Sequence, residues 1–215
     1  MTVSKNWQIM PKDIFNMGPI VPVLVINNVA DALPIAEALL TAGVKVLEVT
    51  LRTPAALDVI SAIARELPEA IIGSGTVTNR QQLQQSYDAG AKFAISPGLT
   101  KDLLQAGNEG NIALIPGISS ISELMDGADY GYDHLKFFPA EASGGVNAIK
   151  SIGGPFPDIR FCPTGGINLN NVRDYLALPN VVCCGGSWLV SSEIVENNNW
   201  SEITRLANQV LAHVK

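Results

Sequence analysis

His134-Leu135-Lys136-Phe137-Phe138-Pro139-Ala140 is a short apolar run with one cation at its centre and a proline near its end. It reads as a buried strand that stops at Pro139, because proline has no N–H to donate to a sheet ladder. The same ending recurs at Ile95-Ser96-Pro97-Gly98, Leu114-Ile115-Pro116-Gly117 and Phe161-Cys162-Pro163-Thr164. Working outward, β-rich runs fall at 21–26, 44–51, 70–73, 92–95, 112–115, 134–138, 159–162 and 181–184. Segments with helical periodicity separate or follow them, at 30–42, 54–67, 80–89, 101–108, 121–127, 146–152, 169–177 and 200–214. Thr53, Asn79 and Thr100 are placed to cap helix starts, and Gly43 and Gly90 follow helix ends.

Eight strand–helix units without a linker or a shift in composition point to an α/β fold. The specific expectation is a (β/α)8 TIM barrel forming one domain over residues 1–215, with a short helix ahead of the first strand. A doubly wound open sheet is the structural alternative. In a barrel, the strand ends marked by these prolines surround the catalytic mouth.

The composition is 47% hydrophobic with a mean hydropathy of +0.22, which suits a globular protein with much buried sheet. Only 16% of residues are charged, a low share that points to surface covered between subunits. A net charge of −6, with Lys and Arg scattered singly, argues against nucleic-acid binding. Residues 1–15 lack an apolar signal core, and the longest apolar stretch, 20–26, is too short to span a membrane. Cys162, Cys183 and Cys184 are odd in number and lie within expected strands, with adjacent Cys183 and Cys184 pointing to opposite faces. Reduced thiols in the cytoplasm are the simplest reading. With two distant histidines, His134 and His213, and no cysteine ligand spacing, no metal is expected; no dinucleotide fingerprint is present either.

A lysine in a buried strand is costly unless it is paired or neutral, and a desolvated amine is a nucleophile. The plainer reading of Lys136 is a strand-end lysine whose stem packs while its head reaches water. In Lys45-Val46-Leu47-Glu48-Val49-Thr50-Leu51-Arg52, period-two alternation puts Leu47, Val49 and Leu51 on one face and Glu48, Thr50 and Arg52 on the other. A structural Glu–Arg pair would account for this, but three polar groups rising toward the mouth favour chemistry. If Glu48 and Lys136 both point inward they approach across the barrel, as imine chemistry requires of an amine and a proton shuttle. Thr164-Gly165-Gly166 and Gly185-Gly186-Ser187 close the last two strands, where barrels bind phosphate through backbone N–H groups. Gly73-Ser74-Gly75-Thr76 ends the third strand and would set Thr76 and backbone donors beside Arg52 as a clamp for a small carboxylate; a tight turn is the plainer reading, which explains the glycines but not the threonine.

The motifs Glu48-Val49-Thr50-Leu51-Arg52, Gly73-x-Gly75-Thr76-Val77, Ile95-Ser96-Pro97-Gly98, Lys136-Phe137-Phe138-Pro139-Ala140-Glu141, Phe161-x-Pro163-Thr164-Gly165-Gly166 and Gly185-Gly186-Ser187-Trp188-Leu189 resemble, in order, those of the 2-keto-3-deoxy-6-phosphogluconate (KDPG) aldolases. These are class I aldolases of the Entner–Doudoroff pathway, many of which also cleave 4-hydroxy-2-oxoglutarate (KHG). The resemblance implies that Lys136 forms the Schiff base and Glu48 is the acid/base. It implies that Arg52 and Thr76 hold the pyruvyl carboxylate, Phe138 packs on the bound ketoacid and Thr164 contacts substrate near the reacting hydroxyl. Gly165, Gly166, Gly186 and Ser187 would bind the distal phosphate. It further implies a phosphorylated 2-keto acid substrate, no cofactor, and a homotrimer. Two rivals are a barrel lyase or isomerase using Lys136 as a fixed charge, and a non-catalytic phosphosugar-binding protein.

Overall fold

A computed structural model describes residues 6–214. The part of the N-terminal stretch ahead of Asn6, over which a leader was expected to be absent, lies outside them. A five-residue helix α1 (Pro11–Phe15) precedes strand β1 (Ile20–Leu24), as expected of the N-terminus. Then follow α2 (Ala32–Thr41), β2 (Val46–Thr50), α3 (Ala56–Glu66), β3 (Ile71–Gly75), α4 (Arg80–Asp88), β4 (Phe93–Ile95) and α5 (Lys101–Glu109). After β5 (Ala113–Ile115) and β6 (Gly117–Ile118) come α6 (Ile121–Asp129), β7 (His134–Phe137), α7 (Gly145–Ile152), β8 (Arg160–Pro163) and α8 (Val172–Leu176). The chain ends with β9 (Cys184–Gly186), α9 (Ser192–Glu196) and α10 (Trp200–His213). Among the described residues no helix is long and apolar enough to cross a membrane.

Every strand pairing is parallel, which requires the helical crossovers seen between them. The strands form a curled six-stranded sheet in the order β5-β4-β3-β2-β1-β9 and a three-stranded sheet β6-β7-β8. The fifth expected strand, 112–115, is β5, and a further short piece, β6, follows it: Pro116, with no N–H, sits between the two and the pairing changes there. Isolated parallel bridges, Phe161 with Val181 and Thr164 with Gly185, run from β8 to the β9 side. The last strand lies later than expected, at 184–186 instead of 181–184, because a stretch rich in glycine carries no strand pattern of its own.

Two apolar clusters show which face of each strand goes where. Leu47, Val49, Ile72, Ala94, Leu114, Leu135, Phe161 and Cys184 pack outward with helix residues such as Leu39, Ile60 and Ile63. Val21, Val46, Phe93, Ile95, Ala113, Ile115, Cys162 and Cys183 pack inward with Ile14 and Phe15 of α1. Phe15 meets the His134 ring edge-on at the start of β7, so α1 closes the N-terminal end of the sheet. Each such apolar side chain contributes about 1.5–3 kcal/mol on burial. Cys183 and Cys184 do point to opposite faces, and all three cysteines are free and buried.

Caps explain where the helices begin. The Asn79 side chain accepts from Gln82 N–H and that of Thr100 from Leu103 N–H, as their positions predict. Thr53 does not cap: α3 starts later, at Ala56, and the Thr53 hydroxyl donates instead to Ile26 O at 2.7 Å. Gly43 and Gly90 follow the ends of α2 and α4 at φ +87° and +92°, a region closed to most L residues.

Candidate functional site

Glu48 sits mid-way along β2 and Lys136 mid-way along β7, both on the inward face one step above the apolar floor. Their side chains are only 2% and 7% exposed, and Lys136 Nζ donates to Glu48 Oε1 at 3.1 Å. Such a pair is costly to bury, and removing either member would strand the other. Handing the proton from Nζ to the carboxylate leaves two neutral groups, one of them a free amine. Nζ also lies 5.3 Å from the centre of the Phe138 ring.

Gly75 makes this geometry possible. A methyl there would overlap the Glu48 carboxylate, and one on Gly73 would overlap the Phe93 ring. Both glycines lie inside β3, paired with β2 and β4, so the third strand runs on to Gly75 instead of stopping at 73; the glycines supply space on the inward face and do not bend the chain. The pairing of Glu48 with Gly73 and Thr50 with Gly75 is the signal that reveals this, and it appears only once the register is known. Thr76, next along, holds φ at +61°; a β-branched residue is rarely found there, and such outliers concentrate at functional positions.

Arg52, just past β2, is exposed and its Nε donates to Thr50 Oγ1 at 3.3 Å. The buried Thr50 hydroxyl spends its own proton on Leu24 O at 2.9 Å, so its oxygen is left to accept. Arg52 is thus oriented by Thr50. It lines a cavity of about 700 Å³ together with Ser187, Trp188, Asn27 and Asp31. Lys136 and Glu48 are not among its lining residues; they are packed against each other.

Thr164 follows β8 and is bridged to Gly185, where a methyl would overlap its hydroxyl. The Thr164 hydroxyl is buried and has no hydrogen-bond partner, an unmet polar group of the kind a ligand can complete. Gly165 and Gly166 continue at φ +101° and +80°. Their carbonyls are tied back, Gly165 O to Glu141 N–H and Gly166 O to the Asn168 and Asn171 side chains. Among the described residues their N–H groups donate to no protein acceptor. Gly186 ends β9 against the Trp188 ring, which a methyl would overlap, and Ser187 is exposed at the cavity.

The inner thiols are poor rivals to Lys136 as nucleophile. Burial first, then Cys162 and the Glu48 charge, hold the Cys183 thiol well above its ordinary range, so the thiolate is disfavoured. Among the described residues no three His, Cys, Asp or Glu side chains converge as a metal site.

With this geometry in place, comparison with known proteins gives a consistent set of similarities. The family model of the KDPG and KHG aldolases matches residues 12–206. A 2-dehydro-3-deoxy-phosphogluconate aldolase of Pseudoalteromonas atlantica is 65% identical over 210 residues, 98% of either chain. A KHG/KDPG aldolase of Escherichia coli K12 is 56% identical over 211 residues, 98% of this chain and 99% of that one. Among solved structures, the KDPG aldolase of Legionella pneumophila superposes with a TM-score of 0.94 at 51% identity, covering 95% of this chain and all of the other. That crystal holds pyruvate captured at low pH as a covalent carbinolamine intermediate.

Proposed function

This chain belongs to the KDPG and KHG aldolase family, and from that membership and the buried Lys136–Glu48 contact we propose that it is a class I aldolase cleaving 2-keto-3-deoxy-6-phosphogluconate to pyruvate and glyceraldehyde 3-phosphate. Cleavage of 4-hydroxy-2-oxoglutarate to pyruvate and glyoxylate is a second activity of the same site. The single observation that carries the reading is the 3.1 Å contact between a buried amine and a buried carboxylate.

In the proposed cycle Lys136 Nζ, its proton taken by Glu48, adds to the C2 ketone to give a carbinolamine. Glu48 returns its proton to the departing hydroxyl, and loss of water gives an iminium, an electron sink two bonds from C4. Glu48, directly or through a water, removes the C4 hydroxyl proton; the C3–C4 bond breaks and its electrons pass into an enamine. The aldehyde leaves, the enamine is protonated at C3, and water returns pyruvate and the free lysine. Such a cycle draws on no metal or organic cofactor. A covalent pyruvate adduct in the Legionella relative supports the amine step.

Arg52 presents its guanidinium fork to the ketoacid carboxylate, Thr76 completing the clamp, and Phe138 packs on the ketoacid. The unpartnered Thr164 hydroxyl meets substrate near the reacting oxygen. Gly165, Gly166, Gly186 and Ser187 take the distal phosphate through their N–H groups and hydroxyl. We read the two sheets as one closed (β/α)8 barrel in a single domain, since the β8–β9 bridges and the continuity of β5 with β6 across Pro116 supply the two seams. The low charged fraction and the family resemblance support a homotrimer, and three free buried thiols support a cytoplasmic home.

The test is cleavage of the phosphorylated keto acid, followed by release of pyruvate. The wild type turns over, and Lys136→Arg, folded by circular dichroism, loses at least about 10⁴-fold in kcat. Near-normal turnover by that variant would overturn the assignment.

A further inference from the structure

We propose that Glu141 and Tyr175 are positioning residues that brace the Gly165-Gly166 turn as an anion cradle and thereby set the preference for a phosphorylated over an unphosphorylated substrate. The inference rests on the phosphate reading of that turn given above.

Glu141 follows the end of β7 in a short 3-10 turn (Glu141–Ser143) and touches both glycines. Its N–H donates to Gly165 O at 3.1 Å. Its side-chain stem lies against the α carbon of Gly166, where any substituent would overlap it. Its carboxylate accepts a short hydrogen bond from the phenol of Tyr175, a fully buried residue of α8. The two polar ends meet beside Gly145 at the start of α7: a methyl there would lie 3.3 Å from both Glu141 Oε1 and the Tyr175 hydroxyl. Burial, and then the Glu141 hydrogen bond and charge, hold the Tyr175 phenol far above its ordinary range, so it remains a donor wherever the enzyme is folded.

The consequence is electrostatic as well as geometric. A carboxylate next to an anion site repels phosphate unless something directs it away. Tyr175 does so by holding the carboxylate beside Gly145 at the start of α7. The Glu141 N–H, with Asn168 at 3.3 Å and Asn171 at 3.1 Å on Gly166 O, fixes the carbonyls behind the turn. Two successive N–H groups at positive φ are then left facing outward, the arrangement of a backbone anion nest. No part of this brace touches Lys136 or Glu48, so its effect falls on binding of the distal anion and not on the covalent steps.

The experiment compares the two substrates, and competitive inhibition by inorganic phosphate, in the wild type, Tyr175→Phe and Glu141→Ala. Expected for both variants is a KM for the phosphorylated substrate, and a Ki for inorganic phosphate, raised about 10-fold, the worth of one hydrogen bond. The kcat and the KM for 4-hydroxy-2-oxoglutarate stay within about twofold, the pattern of lost ground-state binding. Glu141→Gln, which keeps the stem and a hydrogen-bond acceptor, restores most of the phosphate affinity. Equal losses on both substrates, or an unchanged phosphate Ki in both folded variants, overturn the positioning role. If inorganic phosphate fails to compete even in the wild type, the cradle reading beneath it falls.

Discussion

Two layers on the inward face of the curled sheet, one residue pair apart on the same strands, differ in almost every physical respect. In the lower layer Val46, Phe93, Ile95, Ala113, Ile115, Cys162 and Cys183 interlock with Ile14 and Phe15. One period-two step higher, Val46 gives way to Glu48, Cys162 to Thr164, Cys183 to Gly185, and Gly73 to Gly75. The lower layer is filled and apolar. The upper holds a buried ion pair, a hydroxyl with no partner, and glycines where side chains would collide with the polar groups. Rules of packing and polar satisfaction hold below and are broken above, as happens where a fold yields to function. Above the filled floor stand the paired Lys136 and Glu48 and the one unpartnered hydroxyl, that of Thr164.

Substitutions can break that division in order of expected effect. Glu48→Gln should slow turnover about 10²–10⁴-fold while still allowing Lys136 to form an adduct, which single-turnover kinetics would separate. Phe93→Ala, in the floor, should lower the unfolding free energy by about 3–5 kcal/mol with kcat of the folded fraction preserved. A loss of kcat without loss of stability would show that the layers are not separable. Gly75→Ala should displace the Glu48 carboxylate and lower kcat about 10²-fold, the scale of a 1 Å misplacement at a reacting group. Gly73→Ala, one step lower, should instead appear in the denaturant midpoint.

The smallest effect lies far from both layers. At the start of α6 Ser120 and Glu123 form a capping box, with the Glu123 carboxylate accepting from Ser119 N–H at 2.7 Å and Ser120 N–H at 2.9 Å. Burial alone would raise that carboxyl's pKa, but these hydrogen bonds bring it below the ordinary value. Its stabilising contribution is therefore full above the unfolded value of about 4.3 and fades as pH falls through the lower, folded one. Glu123→Gln should cost under about 1 kcal/mol at pH 7, a difference that shrinks on acidification and leaves kcat untouched.

The two layers also mark what was legible in the sequence. Alternation along 45–52 and 134–138 is local, so the inward faces of Glu48 and Lys136, and their approach across the sheet, could be read before any coordinates. Helix caps at Asn79 and Thr100 are equally local. The space that Gly73 and Gly75 leave is not legible, because a glycine chosen for space looks, in one dimension, like a glycine chosen for flexibility; only the register against β2 separates them. Pro116 resembled its fellow strand-ending prolines, yet the chain resumes pairing immediately after it. The hydrogen bond from Arg52 to Thr50 joins residues two apart just past a strand end, where alternation fixes a shared face but not a contact. The Glu141–Tyr175 contact joins residues 34 apart in sequence through tertiary packing alone, and no periodicity announces it. The short α9, five residues capped by Ser191, was likewise absent from the helical pattern.

The central claim is that Lys136 forms a covalent bond with a keto acid. Borohydride reduction in the presence of pyruvate, followed by peptide mass mapping, tests it most directly. The account predicts one reduced pyruvyl adduct per chain, carried by Lys136 and lost in Lys136→Arg. A folded protein that yields no adduct, or one that carries it on another lysine, would contradict it.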